Sequence, residues 1–393
     1  MPSVVFRLLP LLLFCLMASA CAKKKAVPEP DQPLAEGFAY WSCLENDTVY
    51  SPVSLAELRA NADSGNSAAM TALGDLAATR EMYNEAVKWF LRAAQQGYAP
   101  AYLLAGEYLP DAPELVENVQ AESLAYLRKA AEHGTARAPF LFLQRSLRAN
   151  APLPKEDVVR WLPKVMESHD PDDMQTIWEL VSQSEHSKLR PLFLQTVSSY
   201  TKRAAQGDAG AAWILYLLQH NGIAVTHSPE LAKAYLTKAA AGGSPEALYQ
   251  AYTENPADTA LLLSAASKGY IPALLKAGEE YGVGKDHLPR DREKARAYFE
   301  EAARQGNSRA TYLLGLLWAA QIKDNTPGAA EESFRWYEKA ANMGSSDAFR
   351  KLSGCYQSGT GVSQNSQLAN YWSRIAQNAN NPVPAGMEHA LVP

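Results

Sequence analysis

Two short stretches gather residue types that do chemistry in other proteins. Gly278 to Asp286, GEEYGVGKD, sets glycines ahead of a lysine, an arrangement that cradles phosphate when a strand leads into it. Here the first glycine lies one residue too far from Gly284-Lys285. Asp286 stands where a Ser or Thr would hold magnesium, and no strand pattern precedes the segment. These glycines read as turn residues. His169 to Asp173, HDPDD, brings one imidazole and three carboxylates together and invites a metal reading. Yet Asp170 before Pro171, with Asp172 and Asp173 following, is the pattern of a helix start, where carboxylates accept from free amides and face the positive end of the dipole. His133, His186, His220, His227, His287 and His389 are scattered singly, and no H-E-x-x-H, paired-cysteine or G-x-S-x-G pattern occurs. The acid pairs Glu279-Glu280 and Glu300-Glu301 read as solvated helix faces. The sequence therefore predicts no catalytic residue, no metal site and no cofactor.

What positions these residues is a recurring phrase. Paired alanines stand at Ala93-Ala94, Ala130-Ala131, Ala204-Ala205, Ala239-Ala240, Ala265-Ala266, Ala302-Ala303 and Ala340-Ala341, at intervals of 37, 74, 35, 26, 37 and 38 residues. Since 74 is twice 37, a further unit belongs near Glu167, where Leu162, Val165 and Met166 supply a helical face. Units near Ala62 and Ala376 bring the number to about nine or ten. A period of this length marks a helical solenoid, whose units bury their apolar sides against their neighbours.

Within a unit, Ala295, Tyr298, Phe299, Ala302 and Ala303 fall on one face of a helix, as do Ala86, Trp89, Phe90, Ala93 and Ala94. Alanine admits a neighbouring helix closely, and the aromatic fills the gap one turn away. Gly97, Gly134, Gly269, Gly306 and Gly344 stand where a left-handed residue ends the helix. A second pattern follows each stop, as in Ala310, Leu314, Gly315 and in Ala348, Leu352, Tyr356.

These phrases resemble Sel1-like repeats, relatives of tetratricopeptide repeats. The likeness is clearest from Ala348 to Gly361 and in Trp336-Tyr337-Glu338-Lys339-Ala340-Ala341. It implies an all-α fold, a right-handed α-solenoid of about nine or ten helix-turn-helix repeats over residues 51–380, with a tail at 381–393. Two stretches depart from the pattern. Gly243 to Gly269 has only Asn255-Pro256 as a link, and residues 150–200 are poorly marked, which predicts a local change of twist. In related solenoids the first helix of each unit lines the concave side. The resemblance thus implies partner-binding roles for Tyr102, Trp213, Tyr216, Tyr249, Tyr252, Tyr312, Trp318 and Phe349, each of which alternatively packs between units.

The N-terminus has one early charge, Arg7, an apolar run from Leu8 to Met17, and Ala18, Ser19 and Ala20 before Cys21. The run suits a secretory signal and is too short for a permanent span. It resembles a bacterial lipoprotein signal, with Ala18 where leucine is commonest. This implies cleavage after residue 20, lipidation of Cys21, a proline-bearing linker at 21–50, and a periplasm-facing protein. Ala22, in place of Asp, points to the outer membrane. The alternative is an ordinary secretory signal with an incidental Cys21.

The chain's formal charge is -5, and residues 1 to 20 carry only Arg7, so 36 basic and 42 acidic residues remain beyond them. Its sole basic run is Lys23 to Lys25, which argues against nucleic acid as a partner. Cys43 and Cys355, at opposite ends of an extended array, are not expected to pair. Resemblance to Sel1-like lipoproteins implies one of two partners. One is a secreted effector, such as a type VI lipase, neutralised by an immunity protein. The other is a component of an exopolysaccharide (alginate-like) secretion complex, for which the chain is an assembly scaffold. An envelope enzyme is the contrasting reading, to be recognised by a buried polar cluster around His169.

Overall fold

The computed structural model describes residues 39–43 and 50–378, except 80, 150–152, 184–185, 187, 285–287 and 344. The signal segment, Cys21, Gly344 and the tail at 381–393 lie outside the described residues. A short antiparallel hairpin, β1 (Ala39–Cys43) with β2 (Tyr50–Ser54), pairs Ala39 with Ser54 and Cys43 with Tyr50. It precedes the helical body and corrects the expectation of a plain tether up to residue 50. Tyr40, Trp41 and Val53 are strand-forming types that the proline-rich reading of the segment overlooked.

Helix α1 (Leu55–Asp63) follows, and then nine helix pairs. They begin with α2 (Ser67–Thr79) and α3 (Tyr83–Gln95), α4 (Ala99–Tyr108) and α5 (Val119–Glu132), and α6 (Ala138–Arg148) and α7 (Lys155–Met166). Next come α8 (Pro171–Ser182) and α9 (Arg190–Ala205), α10 (Ala209–Asn221) and α11 (Pro229–Ala241), and α12 (Pro245–Glu254) and α13 (Thr259–Ser267). The last are α14 (Ile271–Val283) and α15 (Arg292–Arg304), α16 (Ser308–Ile322) and α17 (Ala329–Asn342), and α18 (Ser346–Ser358) and α19 (Ser366–Asn378). Even-numbered helices are the first of each pair. The repeat body is an all-α solenoid, and its helices fall into two compact units, one built from residues up to 101 together with residues from 292, the other from residues 102–291.

One device starts and stops these pairs. Gly97, Gly134, Gly207, Gly243, Gly269 and Gly306 all have positive φ, and each donates its N–H to the carbonyl of Ala94, Ala131, Ala204, Ala240, Ala266 or Ala303 in turn. At several stops the next residue caps the following helix. Asn66, Asp208, Ser244 and Asn307 each accept, through the side chain, from the amide three residues on, at Ala69, Ala211, Ala247 and Ala310. Asp170 does the same for α8, accepting from Asp172 and Asp173, as the helix-start reading of HDPDD expects.

Packing within a pair explains the other fixed residues. A Cβ on Gly74 would sit 2.4 Å from the Phe90 ring, and one on Gly315 would sit 2.5 Å from Tyr337. In the 102–291 unit, Gly106 meets Leu127 in the same way, at 2.7 Å. These glycines let the second helix seat a large side chain against the backbone of the first. Ser123 and Ser333 reinforce the contact by donating to the carbonyls of Gly106 and Gly315, at 2.7 Å and 3.0 Å.

The two weakly marked stretches are regular helices. In α7 and α8 the core is Val158, Trp161, Leu162, Val165 and Met166, and Met174, Ile177, Leu180 and Val181. Valine and methionine replace the paired alanine there. In the shortened unit, α12 and α13 have 10 and 9 residues. Gly284 ends α14 with φ of 85°, so the phosphate-loop-like segment holds a helix and its stop, while Lys285, Asp286 and His287 lie outside the described residues.

Candidate functional site

The eight aromatic residues expected to read a partner all lie on first helices, but the structure separates them. Counting from the residue that caps each helix, Tyr102 and Phe349 stand fourth, Tyr216 and Tyr252 eighth. Helical periodicity turns both positions toward the neighbouring helices. Tyr102, Trp213, Tyr216, Tyr252 and Phe349 are all buried. Tyr102 packs between Tyr126 and His133, and Phe349 stacks on Trp372 with ring centres 5.8 Å apart. Tyr249, Tyr312 and Trp318 are half-buried. Tyr249 meets the edge of Tyr270, Tyr312 lies 5.9 Å from Tyr337, and Trp318 lies under the Arg296 guanidinium. Of the eight, only these three keep part of the ring open to a partner in the free chain.

Three neighbouring first helices in the 102–291 unit stand apart from the rest. At the eighth position, where α2, α4, α14 and α16 have Gly74, Gly106, Gly278 and Gly315, helices α8, α10 and α12 carry Trp178, Tyr216 and Tyr252. Tyr216 stacks with Trp213 at 5.0 Å and lies against His220. Tyr252 donates to Glu280 of α14 at 2.6 Å, and Lys276 Nζ is 3.3 Å from the same carboxylate. Glu280 is 3% exposed, so this neutralising pair is what makes a buried carboxylate tolerable. Burial first, and then the bond to Glu280, raise the Tyr252 phenol, which stays protonated at neutral pH.

His169, the one imidazole of HDPDD, turns to Glu246 of α12 at 3.6 Å rather than to Asp172, and it holds a left-handed φ of 61°. The His169 imidazole beside it is the main reason the Glu246 carboxyl falls to about 2, with a hydrogen bond from Ser244 helping and burial opposing. Asp173 behaves oppositely. Burial, then the charge of Asp170, push its carboxyl up to about 7, against the pull of Arg137, with Asp172 adding to the rise. Neither carboxylate stands out as unusual in the sequence, because His169, the first cause of the Glu246 shift, is far from it in the chain, and the burial of Asp173 is set by packing. Among the described residues no group of three His, Cys, Asp or Glu side chains is placed to hold a metal ion. Cys355 is a free, buried thiol.

The two shifts give stability opposite pH dependences. Asp173 binds more protons folded than unfolded between its ordinary value of 3.8 and about 7, so its contribution is full below 3.8 and is lost as pH rises through 7. Glu246 contributes above 4.5, and that contribution is lost as pH falls through about 2. Asp173→Asn is therefore expected to raise stability by about 2 kcal/mol at pH 8 and to leave it nearly unchanged at pH 4. Urea unfolding at the two pH values tests this, and an equal change at both would contradict it.

The Sel1 repeat family model matches residues 67–98, 101–135, 204–244, 271–307, 308–345 and 347–381, together more than half of the chain. The chain belongs to the Sel1 repeat family. The segments between these matches hold α6 to α8, most of α9, and α12 with α13, so this Sel1 repeat protein keeps the paired-helix geometry where it loses the signature. Over 89 residues it is similar to chitin synthase regulatory factor 4 of Schizosaccharomyces pombe at 34% identity, a match that covers 23% of this chain and only 13% of that protein. Among solved structures it resembles c5321, a protective antigen of uropathogenic Escherichia coli strains, at 20% identity over 82% of this chain and 79% of that one, with a TM-score of 0.38. It also resembles the immunity protein Pa5087 from Pseudomonas aeruginosa, at 23% identity over 48% of this chain and 75% of that one, with a TM-score of 0.29. TM-scores this low say nothing of function. No described helix is long and apolar enough to cross a membrane.

Proposed function

We propose that this Sel1 repeat chain is a non-enzymatic binding protein that faces the periplasm, is held at the outer membrane by lipid on Cys21, and neutralises a secreted toxic effector, such as a type VI lipase. The observation that carries the interaction reading is the division of labour within each repeat. Alanine, glycine and cap positions are fixed by packing, while the positions between them vary and leave Tyr249, Tyr312 and Trp318 partly open along the first helices. Aromatic side chains of this kind anchor protein interfaces when a partner's pocket completes their burial. The excess of acidic over basic residues favours a basic partner. The lipid anchor and the outer membrane rest on the resemblance of residues 1–21 to a lipoprotein signal.

Affinity capture of the protein from envelope extract, followed by mass spectrometry and an activity assay of what is captured, tests the proposal. Recovery of a single secreted toxin that loses its activity on binding is the expected result. Recovery of porin and polysaccharide-assembly proteins would replace the inhibitor by an assembly scaffold.

A further inference from the structure

The first and last repeats belong to one compact unit, in which residues up to 101 lie with residues from 292. Stacking alone does not require this, because each repeat of a solenoid packs on its neighbours in sequence. A further contact must join the two ends.

The β1–β2 hairpin supplies one. Both strands lie against α1, β1 also reaches α2, and β2 lies against α17, a second helix of the next-to-last pair. Helix α1 is built like the second helix of a repeat, with Gly65 as its stop, but no first helix precedes it among the described residues. In a complete pair the first helix receives a large side chain of the second, as Gly74 receives Phe90. Leu58 stands in α1 where Phe90 stands in α3, seven residues before the stop glycine, and it is fully buried. The hairpin stands before α1 in place of the missing helix and carries the contact on to α17.

Helix α19 supplies a second observation. Tyr371 lies on this last described helix, and its hydroxyl is buried. Burial first pushes the phenol up, Arg374 opposes the rise, and the Glu57 carboxylate of α1 adds to it. One charge acts on another group largely within a Debye length, about 10 Å, so α1 lies near α19. Glu57 also breaks a pattern. Eight residues before the stop, Trp89, Tyr126, Tyr235, Tyr298 and Trp336 are all aromatic, and at that place α1 has an acid. A terminal repeat has no neighbour to receive an aromatic there, and a polar residue suits it.

We propose that the β1–β2 hairpin and α1 form a clasp that joins the first repeat to the last two, so that residues 55–101 and 292–378 open as one cooperative unit although they are far apart in sequence. Opening in a solenoid spreads through sequence neighbours, whereas clasped ends protect each other. Helix α16, with Tyr312 and Trp318, packs on α17, so the hairpin also governs the order of that part of the first-helix face. Its bearing on a partner rests on the protein-binding reading above; the clasp itself does not.

Hydrogen exchange followed by mass spectrometry on the whole chain tests the clasp. The Y40P/S42P variant puts two prolines into β1 and disrupts its ladder with β2. Exchange in α17 and α19 is expected to quicken about tenfold together with α1 and α2, while α10 to α13 keep the parent rates. Faster exchange confined to residues 39–79, with α17 and α19 as protected as in the parent, would overturn the proposal. A second measurement leaves the ladder in place. With a photoreactive residue in place of Ser51 in β2, irradiation is expected to give a product of monomer mass whose digest links β2 to residues 329–342. Links only within residues 39–79, or only between two copies, would overturn the proposal as well. Neither measurement uses a partner, so failure of the clasp leaves the protein-binding reading standing, and failure to capture an effector leaves the clasp standing.

Discussion

Replacing Gly361 by alanine is expected to destabilise the fold by roughly 2–5 kcal/mol. Gly361 lies in the turn between α18 and α19 with φ of 72°, where a side chain is strained for lack of space around its own backbone. A Cβ there would also stand 2.1 Å from the carbonyl oxygen of Ala330 and 2.5 Å from its carbon. Those are backbone atoms at the start of α17, and they cannot swing aside as the end of a flexible side chain does. Gly359, two residues earlier, separates the two contributions. It has φ of 75°, but its added Cβ would meet nothing closer than 3.6 Å. Gly359→Ala should therefore cost only the left-handed strain, about 1–2 kcal/mol. Urea midpoints of the two variants test this, and equal losses would mean that the turn does not press against α17.

Trp89→Ala carries an expected loss of similar size, about 3–5 kcal/mol. The Trp89 ring is fully buried on α3, and Arg59 and Arg92 place guanidinium groups 4.8 Å and 4.7 Å from its centre. Truncation removes the transfer energy of a large ring and leaves a cavity that neighbouring helices fill only partly. Trp318→Ala provides the contrast. That residue is half-buried near the end of α16, and its loss should cost about 1 kcal/mol while reducing partner binding. A Trp89→Ala protein as stable as Trp318→Ala would show that the second helices are not the packed spine of the array.

Much of this was legible in the sequence, and what was not has a physical reason. The paired alanines and the glycine three residues beyond them locate most second helices, because close approach and a left-handed stop each admit few residue types. The residue after the stop carries a further signal that alanine spacing does not contain. Asn66, Asp208, Ser244 and Asn307 are all capping types, and they set the register of the first helices. In α7 the alanine pair became Val165-Met166, so the helix persisted while its signature vanished.

The site was harder to read. Which aromatic is open depends on its count from the cap and on what the neighbouring helix offers. Tyr252 is hidden because α14 presents Glu280 to it, and Tyr249, three residues before it, stays half-open. The pairing of His169 with Glu246 joins residues far apart in sequence, and no local pattern announces it. The short hairpin before α1 is hard to read because Pro52 and its polar residues, following Pro28, Pro30 and Pro33, resemble a linker more than a strand.

If the partner lies on the first helices, site-directed photocrosslinking in the envelope will show it most directly. A photoreactive residue in place of Tyr249 or Tyr312 is predicted to yield a discrete adduct with one partner protein. The same residue in place of Lys233 or Lys202, on second helices, is predicted to yield none. Adducts confined to the Lys233 and Lys202 positions would contradict a first-helix binding face.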